Sequence, residues 1–442
     1  MKLSRYNFIF ATDNGRALAY NALSNGLAVV GEDVAELFEN FSVERFYALD
    51  SGLQRQLQRG GFVVPNDLDE RDVVLLRYRA GQYQGTSVGL TIVPTLTCNL
   101  ACKYCFESCF RGTMTQETQE AVARFAGTLL PERGGALGVT WYGGEPLLAL
   151  EVIAELSVKL QAVCNERQAR YDAGIITNGT LLTREVARRL RELHVSSAQV
   201  TLDGPPEVHD ARRPYRSGGG SFSRIVQNLA QVVAELPVSL RINVDRNNAV
   251  EVLSFVDWLV NQDWFDSERL TVHLGYVRKY TPACGCALEE MLKPTEFFEL
   301  TEKLAGALVE RGLFQPPYPD LATGCTATSA RSFVVGPEGE LYRCWNHVGD
   351  PQMRVGTVFE DLKPHPLYLG YLFAGFEADD ECMQCKFLPL CAGGCVDVRI
   401  KAAKGLLPGK DCSGWRYYLE RQLASYYRWW WQERQKETAH EA

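Results

Sequence analysis

The chain has 442 residues, 46% of them hydrophobic, and a formal net charge of −8. This is long enough for two or three globular domains. The acidic balance argues against nucleic acid or an anionic membrane as the main partner. No apolar run reaches the roughly 18 residues of a membrane-spanning helix. Asp13 and Asn14 interrupt the short N-terminal apolar patch, so no signal peptide is read. Fourteen cysteines without a secretory signal point to metal or redox chemistry in a cytoplasmic, oxygen-sensitive protein rather than to a disulfide scaffold.

Residues 1–85 read as a small α+β module. Tyr6 to Ala11, Arg16 to Asn21 and Gly26 to Val30 suggest an antiparallel meander, with Asp13-Asn14-Gly15 as a turn signal. Helical spacing follows over Asp33–Phe41, Ser51–Arg59 and Arg71–Gln82, with a short strand at Gly61–Val64. One reading is an extension that only packs. The other is a docking module, since a small sheet with a free edge accepts a peptide strand.

From residue 90 the chain alternates strands and helices. Strands are expected near 91–97, 137–142, 172–177, 197–202, 238–244 and 269–276. Helices are expected near 115–130, 147–164, 183–194, 221–236 and 248–261. Six β/α units predict a parallel sheet with right-handed crossovers, and chemistry at the C-terminal ends of its strands. The first strand runs into Cys98-Asn99-Leu100-Ala101-Cys102-Lys103-Tyr104-Cys105. Three thiolates so spaced can ligate three irons of a cubic [4Fe–4S] cluster and leave the fourth open. Cys109 is the only further cysteine nearby. A zinc knuckle would need a closed set of four ligands, which this loop does not supply.

A Cys-x3-Cys-x2-Cys loop with an aromatic residue before its third cysteine resembles the signature of radical S-adenosylmethionine (SAM) enzymes. The resemblance implies a partial (β/α)6 TIM-like barrel. It also implies that the open iron chelates SAM and that the reduced cluster cleaves it to a 5′-deoxyadenosyl radical. Later motifs extend it. Gly143-Gly144-Glu145-Pro146 is similar to the family's GGEP turn, which holds the amino group of SAM. Thr201-Leu202-Asp203-Gly204-Pro205 is similar to a pattern whose first hydroxyl meets the SAM ribose, with Thr201 where serine is usual. Arg213 matches an arginine that reaches the carboxylate region. With Tyr104, these are the implied SAM-binding residues. Read without the resemblance, the same stretches are ordinary turn chemistry. The Ser217-Gly218-Gly219-Gly220 run is a loop able to cover a substrate.

Residues 320–442, beyond a helical linker at 281–319, carry Cys325, Cys344, Cys382, Cys385, Cys391, Cys395 and Cys412. This spacing resembles the SPASM extension of peptide-modifying radical SAM enzymes, and a zinc ribbon is the bland alternative. The resemblance implies two auxiliary [4Fe–4S] clusters, three in all with the one at residues 98–105. Cys382, Cys385, Cys391 and Cys412 would close one. Cys325, Cys344 and Cys395 would hold the other. Where some members carry a further cysteine this chain has Arg331, so Cys284 or Cys286 supplies the fourth ligand or an iron stays open. Cys164 reads as packing. In sulfatase-maturing relatives an acidic residue follows the second of these cysteines, whereas here it is Trp345. The aromatic tail from Trp415 to Trp431 reads as core or interface packing.

The expected protein is an α/β enzyme in four segments: a winged-helix-like module (1–85), the radical SAM barrel (86–280), the linker (281–319) and a cysteine-rich iron–sulfur domain (320–442). The expected substrate is a precursor peptide whose leader docks on the first module, and the expected product is a thioether or carbon–carbon cross-link. Flavodoxin or ferredoxin is the expected electron donor. Epimerisation and cofactor-precursor modification are rival chemistries. A non-catalytic electron carrier or scaffold is the rival class, against which the SAM-site motifs argue.

Overall fold

A computed structural model describes the chain except for residues 13–15, 108–111, 280, 282–283, 285–287, 406, 408 and 441–442, and except for the side chains of 436–440. The turn expected at 13–15 and the thiols of Cys109 and Cys286 therefore lie outside the described residues. The chain divides into two compact units. One comprises residues 85–301 and 325–373; the other comprises 1–84, 302–324 and 374–442.

The first unit is built on a sheet whose described strands run, in spatial order, Leu270–Tyr276, Val238–Val244, Val195–Thr201, Arg170–Thr177, Ala136–Trp141 and Ser87–Ile92. All these neighbours pair in parallel. The local sequence shows why. In Val238–Val244 the β-branched and leucine residues alternate buried with half-buried polar ones, the period-two pattern of a strand. Helices return the chain between strands. Thr115 caps Gln116–Leu129 through the amide of Thr118, and Thr183 caps Arg184–Glu192 through the amide of Val186. Six β/α units thus form the expected barrel-like sheet.

Three features go beyond the expected elements. The first strand stops at Ile92, short of the predicted 97. Pro94 has no amide to give a ladder, and the carbonyls of Thr95 and Thr97 instead accept from Gly144 and Glu145. The helix expected at 147 opens as a 3₁₀ turn, Pro146–Ala149, before Leu150–Arg167. The sheet also continues past its first strand: Ser332–Val335 pairs in parallel with Ser87–Ile92, and Glu340–Tyr342 and Gly356–Thr357 add antiparallel strands. Cys325 precedes this extension, and Cys344 follows its second strand.

In the second unit Asn7–Ala11, Ala17–Asn21 and Gly26–Val30 form the expected antiparallel meander. Phe8 and Tyr20 on one side pack with Phe376, Leu388, Leu419 and Leu423. Ala19 and Val30 on the other side pack with Val34, Leu37, Phe46 and Leu57. The C-terminal helix Trp415–His440 buries Leu419, Leu423 and Tyr427, one helical turn apart, while the other aromatic residues of the tail are half-buried and Trp431 is exposed.

Candidate SAM and iron–sulfur sites

The loop from Cys98 to Cys105 leaves the C-terminal end of the first strand and is strapped on one side. Ala101 and Lys103 donate backbone bonds to Pro214 and Arg212, and Arg216 Nε donates to the Cys98 carbonyl at 3.0 Å. On the other side lies the Gly143–Pro146 turn. A Cβ on Gly144 would come within 2.5 Å of the Leu96 and Thr97 carbonyls, and one on Gly143, at φ +126°, within 2.5 Å of the Thr95 carbonyl. Only glycine permits this approach. Burial pushes the Cys98 thiol up to about 12, a cost that a cationic iron centre would reverse.

Glu145 is fully buried. Its carboxylate accepts from Thr177 Oγ1 (2.7 Å), the Asn178 amide (2.7 Å) and the Leu147 amide (3.1 Å). Burial raises its pKa against these bonds. Three donors leave one of about four lone-pair positions for an ammonium group. Asn178 ties this network to the cluster loop, donating to Asn99 Oδ1 at 2.8 Å and to Cys98 Sγ at 3.9 Å.

Across the site, Tyr104 is held by three partners. Its hydroxyl donates to Asp203 and accepts from Arg213 Nη1 (2.7 Å) and Asn243 Nδ2 (3.1 Å). Arg212 bridges Asp203 and Asp245 and lies 4.9 Å from the Tyr104 ring centroid. Arg213 is buried, and its Nε has no hydrogen-bond partner among the described residues. Burial disfavours its charge, but Cys102, Tyr104 and Asp203 outweigh that and raise its pKa. A buried guanidinium with an unused donor fits a carboxylate. Thr201 ends the fourth strand and is buried.

Tyr142, just ahead of the glycine turn, stacks on Trp345 with ring centroids 5.8 Å apart. Its hydroxyl is paired with Glu107, whose carboxyl burial pushes up to about 7. Tyr142, Glu107 and Asn243 were not among the residues expected here. Asn243 was within reach, because it sits at the C-terminal end of the fifth strand, where barrel chemistry gathers.

Cys382, Cys385, Cys391 and Cys412 line one cavity. Cys325 and Cys344 belong to the barrel-bearing unit and Cys395 to the other. Among the described residues no three His, Cys, Asp or Glu side chains close on a single-ion position; a cube of four irons holds its thiolates wider apart than one ion does. Arg331, at the place of the extra cysteine, donates to the Leu129 carbonyl at 2.8 Å. Cys284 is buried, is engaged in a disulfide, and lies 3.6 Å from the Tyr104 carbonyl. Cys164 is buried within its helix.

Residues 92–259 match the Radical SAM superfamily profile. The cysteine-type anaerobic sulfatase-maturating enzyme of Clostridium perfringens (strain 13) is 25% identical over 336 residues, 67% of this chain and 85% of that one. Native anSMEcpe with bound AdoMet and Cp18Cys peptide superposes with a TM-score of 0.59 at 20% identity, covering 76% of this chain and 98% of that one. Streptococcus suis SuiB bound to its precursor peptide SuiA superposes at 0.52 with 15% identity, covering 90% and 96%. The cluster loop, the glycine turn against it and the matched profile agree: residues 92–259 carry a radical SAM domain, and the chain is related to maturases with SPASM-like auxiliary domains.

Proposed function

We propose that this enzyme modifies a ribosomally made precursor peptide, joining two of its residues by a thioether or carbon–carbon bond in a net two-electron oxidation. The observation that carries the reading is the pairing of the three-cysteine loop with two unspent groups beside it: the last lone-pair position of Glu145 and the free Nε of Arg213. Together they suit the ammonium and carboxylate of an amino acid chelated at an open iron. When bound, cluster and SAM supply a carbon-centred radical able to abstract hydrogen from the peptide. The chain's own residues orient and shield. Glu145 and Arg213 would hold the methionine end, Thr201 would offer its hydroxyl to the ribose, and the braced Tyr104 ring would wall the site from water.

The sulfatase-maturating enzyme acts on a protein by name and SuiB is bound to a precursor peptide, which supports a peptide substrate. Trp345 separates this chain from the sulfatase-maturing chemistry. Where those relatives are expected to carry an acid, this chain stacks an indole on Tyr142, which removes a base and supplies a flat apolar wall. The cysteine pattern supports three [4Fe–4S] clusters, one at Cys98, Cys102 and Cys105 and two auxiliary ones able to take up the second electron. With Cys284 packed at Tyr104 and Arg331 turned to Leu129, the auxiliary set of Cys325, Cys344 and Cys395 is left with Cys286 as its fourth ligand or with one open iron. A small redox protein such as flavodoxin or ferredoxin would supply the first electron.

Anaerobically reconstituted enzyme given SAM, dithionite and precursor is expected to release 5′-deoxyadenosine and to yield a peptide lighter by two hydrogens. Replacing Cys98, Cys102 and Cys105 by alanine should remove about four irons per chain and all SAM cleavage. A triple variant that still forms 5′-deoxyadenosine would falsify the assignment.

A further inference from the structure

The cavity lined by Cys382, Cys385, Cys391 and Cys412 is also lined by two cations. Lys410 Nζ lies 3.6 Å from Cys382 Sγ, and Arg416 Nη1 lies 3.6 Å from Cys412 Sγ, both in donating geometry. Lys410 is firmly held, whereas the Arg416 side chain is 47% exposed and rests on the sulfur contact and a longer ion pair. Asp379 takes Lys410 at 2.7 and 2.6 Å through its two oxygens and also caps the helix Asp380–Gln384 through the Cys382 amide at 3.0 Å. Glu381 reaches Lys410 at 3.0 Å and Arg416 at 3.7 Å. Lys410 is only 20% exposed at its side chain. Two carboxylates thus hold the Lys410 ammonium at one sulfur, and Arg416 places an N–H donor at a second.

We propose that Lys410 and Arg416 are tuning residues of the second auxiliary cluster, raising its reduction potential through N–H···S bonds so that it accepts an electron readily. The proposal rests on the assignment of a [4Fe–4S] cluster to these four cysteines. Donation to a ligating thiolate withdraws electron density from the sulfur and favours the state carrying one more electron. Asp379 and Glu381 carry opposite charge and reduce this effect. They do not cancel it, because the positive ends of the donor dipoles face the sulfurs while the carboxylates face the donors. In the proposed reaction the electron is the one given up when the substrate radical closes to product.

The test is an EPR-monitored redox titration of reconstituted full-length enzyme, following the signal that disappears in Cys412→Ala. Lys410→Met and Arg416→Leu should each move that signal's midpoint to more negative potential, and the double variant further. A tenfold change in the reduction equilibrium would be about 59 mV for one electron. Asp379→Asn, which keeps the helix cap and removes a charge, should move it the opposite way. Lys410→Arg should restore most of the wild-type value. Should Lys410→Met fail to assemble the cluster, Arg416→Leu and Asp379→Asn still decide the sign. Midpoints unmoved in variants with full iron would overturn the tuning role alone. Full iron in Cys412→Ala would overturn the cluster assignment and the tuning role together.

Discussion

His209 is fully buried behind Asp203, and its two nitrogens have distinct partners. The Asp203 amide donates to Nδ1 at 3.2 Å, so Nε2 carries the ring proton. Nε2 meets Ser221 Oγ at 3.0 Å, and that hydroxyl in turn donates to the Arg213 carbonyl at 2.7 Å. A second proton would set Nδ1–H against an amide N–H. Burial, followed by the Arg213 guanidinium, holds the pKa at about 4 against an ordinary 6.5. Between those values the unfolded chain binds the proton and the folded chain does not. The neutral imidazole's contribution to stability is therefore full above about pH 6.5 and is lost as pH falls towards about 4, on the order of 3 kcal/mol in all. Denaturant unfolding of wild type and His209→Gln across that window is the check. Wild type should lose stability more steeply on acidification, and parallel slopes would show that His209 takes no part. This chain of bonds ends on Arg213 and Asp203, so the same histidine positions two groups of the proposed SAM site.

At the scale of elements, the pocket depends on how closely the Gly143–Pro146 turn presses on the cluster loop. Thr95 and Thr97 continue a ladder with Gly144 and Glu145 beyond the end of the first strand. Gly144→Ala would place a methyl 2.5 Å from two carbonyls just ahead of Cys98, and backbone cannot give way as a flexible side chain can. We expect this variant to lose iron from the first cluster and to bind SAM more weakly, while the spectrum of the Cys382–Cys412 cluster stays unchanged; iron analysis with EPR reads both. Unchanged iron and SAM affinity would show that the loop can retreat at no cost. Much of this level is legible in sequence. Val238–Val244 alternates cleanly, and Thr115 and Thr183 mark helix starts. The end of the first strand is less so, because Val93 and Leu96 are as apolar and buried as the strand itself; only Pro94 hints that the ladder has stopped. The partners of Tyr104 are illegible for another reason. Asp203, Arg213 and Asn243 lie roughly 100 residues or more from it along the chain, and no periodicity links them.

At the scale of the molecule, the chain does not keep to linear order. It crosses between its two units near residues 84, 301, 324 and 373, so the cysteine-rich C-terminal region is shared. Ser332–Val335 completes the sheet beside the first barrel strand, whereas Leu388, Leu419 and Leu423 complete the core of the N-terminal meander. Sequence periodicity announces each element but not which distant partner it buries against, since a leucine stripe fits many faces. This arrangement sharpens the expectation for the leader peptide. Both faces of the meander carry core packing, Phe8 and Tyr20 on one side and Ala19 and Val30 on the other, so a peptide strand would add to this sheet along an edge. The edge at Asn7–Ala11 already gives its Asn7 carbonyl to Lys386 Nζ at 3.3 Å. The other edge, Gly26–Val30, is half-buried and exposes Val29 at 47%. Peptide addition to it would form backbone hydrogen bonds of the kind an open strand offers. Hydrogen exchange with and without precursor peptide should therefore show slowed amides within Gly26–Val30, and a core peptide lacking the leader should leave them fast. Tight precursor binding with no protection in this strand would remove the meander as the docking site and leave it as packing for the C-terminal helix.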